Sequence, residues 1–106
     1  MPNENHPPFN ELTPAQVERL AILAEECSET IQIVGKILRH GYASTHPDNE
    51  EGPDNQAMLE VELGHIQAAQ KMLVDKRDIL PGYISKAKAR KLRRVQQYLH
   101  HQDDEL

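Results

Sequence analysis

From Thr13 onward, apolar residues recur at alternating spacings of three and four: Val17, Leu20, Ala24, Cys27, Ile31, Val34 and Leu38. That period predicts a long helix with these residues in one stripe facing a core. Its start is marked by Thr13 as N-cap, Pro14 at the first helical position and Gln16 three residues past the cap, the elements of a capping box. Gly41 marks its end. At 100° per residue Glu25, Glu29, Lys36 and His40 fall on roughly the opposite side, with Glu26 at its margin, and Ile22 and Ile33 share that side. The helix therefore reads as buried on two faces.

Residues 41–55 contain two prolines and two glycines and read as a long connecting loop, a length more often functional or mobile than idle. A second helix is expected from a cap at Asp54 or Asn55 to about Lys76, with Leu59, Leu63, Ile66 and Leu73 toward the core and a polar insertion at Glu62 and His65. Pro81 and Gly82 break the chain, and a third, basic helix is expected over residues 85–101, beginning near Ser85 and reaching at least Leu99. Residues 1–12 read as a flexible segment and residues 102–106 as an acidic tail. No repeat or strand pattern is visible. The expected fold is one all-α domain over residues 13–101, an antiparallel bundle of three principal helices. One protomer has too few helices to cover both apolar faces of the first, so a homodimer or homotetramer is expected.

Composition narrows the class. A chain of 106 residues with 38% apolar and 4% aromatic residues and no Trp has little bulky material for a monomeric core. The single cysteine, Cys27, excludes an internal disulfide. The polar, Pro-rich opening carries no signal pattern and no run is long enough to span a membrane, so a soluble cytoplasmic protein is expected. The net charge of -5 conceals a polarity: residues 1–76 hold thirteen acidic and five basic side chains, net -8, and residues 77–106 hold seven basic and four acidic, net +3. A general nucleic-acid binder is usually basic throughout, so such a partner is not expected.

Glu25, Glu26 and Glu29 crowd five residues of the first helix, although like charges at this spacing cost roughly 0.2–0.5 kcal/mol per pair. On charge pattern alone a solvated acidic face accounts for them, and a cation site is the alternative. Glu26 with Glu29, and Glu62 with His65, are each three apart on faces otherwise apolar. Packed antiparallel, the two pairs would converge in the way helical bundles build carboxylate metal sites. Oxygen donors favour Mg2+ or Mn2+, and the imidazole shifts the choice toward Mn2+ or another transition metal.

The stretch EECSE (residues 25–29), followed by ELGH (residues 62–65), resembles the paired signature E-E-x-x-E and E-x-x-D of the MazG-like all-α nucleoside triphosphate pyrophosphohydrolases. The similarity covers residues 13–76, and the tail ending YLHHQ resembles short, phage-type members. The resemblance implies Glu26, Glu29 and Glu62 as metal ligands, Glu25 as an auxiliary carboxylate or catalytic base, and hydrolysis of a (d)NTP to the monophosphate and pyrophosphate. His65 stands where the family pattern has Asp. Three readings follow: His65 ligates a softer metal, it acts beside a site held by three glutamates, or the site is degenerate.

Lys36 and His40, beyond Glu29 on the same side, are candidates to meet a triphosphate, and Tyr42 to stack on a base; all three equally fit local packing or a helix end. Six basic residues between Lys86 and Arg94, among them Lys86 and Arg90, read either as a solvated face or as a phosphate clamp reaching a neighbouring subunit's site. Gly35 and Gly64 permit close helix approach. A helical interaction module without catalysis and a small nucleic-acid-associated regulator are the alternative functions.

Overall fold

A computed structural model describes residues 9–105. Residues 1–8 of the expected N-terminal segment, and Leu106 of the acidic tail, lie outside the described residues. Within them the chain is helical: α1 (Pro14–His40), α2 (Asn55–Asp75) and α3 (Pro81–Arg94) are followed by two short 3-10 turns, Val95–Tyr98 and Gln102–Asp104.

The start of α1 is a reciprocal capping box. Thr13 Oγ1 accepts from the Gln16 amide at 3.1 Å, and Gln16 Oε1 accepts from the Thr13 amide at 2.9 Å. Its end is Gly41 at φ 88, a left-handed conformation that glycine adopts without steric cost. Asp54 caps α2 by accepting from the Ala57 amide at 2.9 Å. At the other end of α2, Arg77 enters the left-handed region at φ 61 and the Asp78 amide donates back to the Leu73 carbonyl at 2.9 Å.

α1 and α2 pack antiparallel as a hairpin fastened at both ends. At the loop end, the buried Asn55 donates its side-chain amide to the Gly41 carbonyl at 3.0 Å, and the Asn55 and Gln56 amides donate to Ser44 and Tyr42. At the far end, Arg19 grips Asp78 in a two-point fork, Nε to Oδ2 at 2.6 Å and Nη2 to Oδ1 at 3.0 Å. Gln16 Nε2 adds a longer bond to Asp78 at 3.4 Å. The guanidinium holds the Asp78 carboxyl below the usual carboxylate range.

The face that α1 turns to α2 is not the expected stripe. Protection falls on Gln16, Arg19, Leu23, Glu26, Thr30, Ile33 and Ile37, each one residue before a member of the apolar stripe and thus rotated by about 100°. The stripe itself lies open, with Ile31 72% and Leu38 82% exposed. Periodicity finds the most apolar side of a helix but not the partner that meets it. The partner here carries polar groups, and Arg19 on Asp78 and Glu26 on His65 seat polar residues in the hairpin seam. On α2, Leu59, Ile66 and Leu73 face inward as expected, whereas Leu63 is exposed.

The third helix also departs from expectation. It begins at Pro81, a residue suited to the first helical position, and stops at Arg94, short of the expected residues 99–101. It has no buried residue and packs mainly on the turn that follows it, so the chain is a two-helix hairpin with α3 outside, not a three-helix bundle. Ile84 and Leu92 are its only large aliphatic residues, too few for a stripe that could dock on the hairpin. The buried apolar set of the described residues is Ile33, Ala69 and Leu73. The radius of gyration is 18.9 Å, against about 13 Å for a compact chain of this length.

Leu73→Ala should therefore cost about 2–5 kcal/mol in urea unfolding, the range for emptying a buried leucine site. Asp78→Asn should lower the melting temperature at pH 7. Because the folded Asp78 carboxyl titrates lower than the unfolded one, its contribution is complete above about pH 3.9 and is lost as pH falls through the folded value. The melting difference between wild type and Asp78→Asn should close in that acid range.

Candidate metal centre

The hairpin register brings Glu26 and Glu29 of α1 against Glu62 and His65 of α2. One donor atom from each lies within 4.8 Å of all the others. His65 Nδ1 stands 3.1 Å from Glu26 Oε2 and 3.4 Å from Glu62 Oε2. The side chains of Glu62 and Glu26 are 13% and 18% exposed, and that of His65 is 51% exposed at the solvent edge. Glu26, expected at the margin of the acidic side, sits in the seam, and Glu29 holds its rim.

Three carboxylates share this seam, and among the described residues none of them pairs with a lysine or arginine. Arg19 is committed to Asp78 and Lys71 to Asp75. Thr30 returns its hydroxyl to the Glu26 carbonyl at 2.8 Å and offers the carboxylates nothing. His65 Nδ1 faces carboxylate oxygens and therefore carries a proton in this arrangement. Glu62 Oε2 is buried without an aligned hydrogen-bond partner, since the bond of the nearby imidazole goes to Glu26.

Titration reflects the crowding. The Glu62 carboxyl is pushed above the ordinary glutamate range, first by the Glu26 carboxylate beside it, then by burial, then by Glu29. For His65, burial works to lower the value, but the Glu62 carboxylate 3.4 Å away and the negative charge of Glu26 outweigh it and the imidazole is raised.

Such a group fits a divalent cation. Donors about 2.1 Å from one Mg2+ ion stand at most about 4.2 Å apart, so small side-chain rotations close the observed spread. Buried charge without a countercharge is costly, and Glu62 Oε2 offers an uncommitted lone pair at the centre. Three oxygens and one imidazole nitrogen make a donor set suited to Mn2+ as well as Mg2+.

The other residues singled out from sequence are not gathered here. Glu25 is exposed and outside the cluster, and Lys36, His40 and Tyr42 are exposed. Lys86 and Arg90 lie on α3, along an open strip bracketed by Tyr83 and Tyr98, with Lys86 Nζ 5.7 Å from the centre of the Tyr83 ring. Arg19 and Asp78, which fasten the seam, carried no sequence signal, being 59 residues apart.

Comparison of the chain with protein-family models, with curated proteins and with solved structures gives no match.

With chelator present, stability should fall as pH rises. Glu62 has a folded value above the unfolded value of about 4.3, so its contribution is present below that pH and lost as pH climbs through the folded value. His65 behaves alike from about pH 6.5 upward. Glu62→Gln keeps the shape and removes the charge, so the chelated variant should melt above chelated wild type at pH 8. Calorimetry in excess chelator checks this.

Proposed function

We propose that the chain is a metal-dependent nucleoside triphosphate pyrophosphohydrolase of the MazG-like kind, converting a (d)NTP to the monophosphate and pyrophosphate. The observation that carries this reading is the convergence of Glu26, Glu29, Glu62 and His65 around the unpartnered Glu62 Oε2. Those four side chains would hold Mg2+ or Mn2+. When bound, the cation supplies neutralisation of triphosphate charge and a lowered pKa for water.

The chain's own groups divide the remaining work. Glu25 precedes Glu26 on α1 and is not engaged in the cluster, so its carboxylate remains free to take the proton of the attacking water. Water oxygen bonds to the α-phosphorus as the bridge to the β-phosphate breaks. Lys36 and His40, about 10 and 16 Å along α1 from Glu29 at 1.5 Å per residue, lie on the same side of the helix and would meet the departing phosphates. Tyr42, just past the helix end, would offer a ring to the base. Lys86 and Arg90 are off the hairpin and would reach a site only in a neighbouring subunit.

A second reading is favoured by the 3.1 Å contact of His65 with Glu26. A protonated His65 would act as an internal countercharge, stabilise the seam without metal, and leave a helical interaction module with no hydrolytic activity.

Pyrophosphate release from a (d)NTP panel with Mg2+ and then Mn2+ separates the two. The hydrolase reading expects release, a higher melting temperature with metal than with chelator, and a preference for Mn2+. Glu29→Gln and Glu62→Gln should each reduce activity by more than the roughly 10–100-fold that loss of an outer partner costs a metal site. His65→Asp should shift the preference toward Mg2+ and flatten the acid side of the profile, because imidazole must lose its proton to ligate. Inactivity with every metal, and melting curves unaffected by metal, would leave the interaction module.

A further inference from the structure

Val17, Leu20, Ala24, Cys27, Ile31, Val34 and Leu38 form an unbroken row along α1, about 32 Å long at 1.5 Å per residue. Within the chain every one of them is exposed. Soluble monomers rarely leave a contiguous apolar patch of this extent uncovered. The chain itself has little to lay on it: residues 1–8 contain one large apolar side chain, Met1, and α3 packs mainly on its own turn.

The order of the row selects its occupant. Read backwards and laid against itself, it pairs Val17 with Leu38, Leu20 with Val34 and Ala24 with Ile31, while Cys27 meets its own counterpart. Every pair is centred at residue 27 or midway to residue 28, so one antiparallel register satisfies the whole row. Small Ala24 against larger Ile31 gives complementary steps. Charge agrees with that direction. Residues 14–27 of α1 carry Glu18, Arg19, Glu25 and Glu26, net -2, and residues 28–40 carry Glu29, Lys36 and Arg39, net +1 with histidine neutral. An antiparallel pair sets acidic half against basic half, whereas a parallel pair would set the two acidic halves together.

We propose that this row is the docking surface for a second copy of the chain, α1 against α1, antiparallel about a two-fold axis beside Cys27. Such a contact is isologous and closes on itself as a dimer. In an antiparallel hairpin at 100° per residue, the exposed Leu63 of α2 falls on the same flank and extends the surface. Glu29 and His65 fall on the opposite flank, so docking leaves the acidic cluster accessible. The proposal does not depend on metal binding or hydrolysis.

Light scattering on the eluting full-length protein at micromolar concentration should give twice 12.1 kDa. Ile31→Glu places a charge at a position already open in the single chain; it should halve the mass and leave the helical circular dichroism unchanged. Direction is read by cross-linking in a Cys27→Ala background with a short bis-maleimide. Val17→Cys mixed with Leu38→Cys should link after subunit exchange, and Val17→Cys alone should not. A monomeric wild type, an Ile31→Glu protein that stays dimeric, or Val17→Cys that links to itself as readily as to Leu38→Cys would each overturn the proposal. Should Ile31→Glu fail to fold, the cross-linking pattern decides it.

Discussion

The register of α1 on α2 is the constraint from which the rest of the structure follows. Two polar clamps set it, Arg19 on Asp78 at one end of the hairpin and the Asn55 amide on the Gly41 carbonyl at the other. Apolar packing alone would not fix it, since a core of Ile33, Ala69 and Leu73 tolerates sliding better than a pair of directional bonds does. A slip of one helical turn moves one helix about 5.4 Å along the other, which would part Glu26 and Glu29 from Glu62 and His65. The clamps therefore stabilise the hairpin and assemble the cluster in the same act.

The seam so formed is chemically loaded. Carboxylates occupy positions where a helical hairpin would ordinarily place leucine, and burial of like charges raises the folded state's free energy unless a proton or cation relieves it. His65 supplies part of that relief from the solvent edge, and Glu62 supplies part by holding its proton more tightly. This arrangement separates two surfaces of α1 that a helical wheel alone leaves ambiguous: a polar side turned to its own chain, and a more apolar side turned outward.

Much of this was legible in the sequence, for identifiable reasons. Thr13, Pro14, Gln16, Gly41 and Asp54 act through neighbours three or four residues away, so the limits of α1 and the start of α2 could be read directly. The cluster was legible because helical spacing three places Glu26 with Glu29 and Glu62 with His65, whatever the partner. The inward face of α1 was not, because the row from Val17 to Leu38 is the more apolar one and local periodicity carries no information about polar clamps 59 residues apart. Neither the limits nor the packing of α3 was legible: Pro81 reads as a breaker when it is a start, and a helix carrying six basic residues offers the hairpin no apolar side. The loss of Glu25, Lys36, His40 and Tyr42 from the convergent group has the same origin, since a shared side of one helix does not bring residues to a point.

The fastening at Asn55 bears on how freely the chain can change. Three hydrogen bonds tie Gly41, Tyr42 and Ser44 to the first two residues of α2, so the intervening segment begins and ends at fixed points. Doubling the length of a flexible loop adds only about 0.6 kcal/mol of closure entropy. Insertions and deletions between residues 45 and 53 are thereby uncoupled from the placement of Glu62, and this segment is where descendants of the chain could diverge in what they recognise while inheriting the same four-residue centre unchanged.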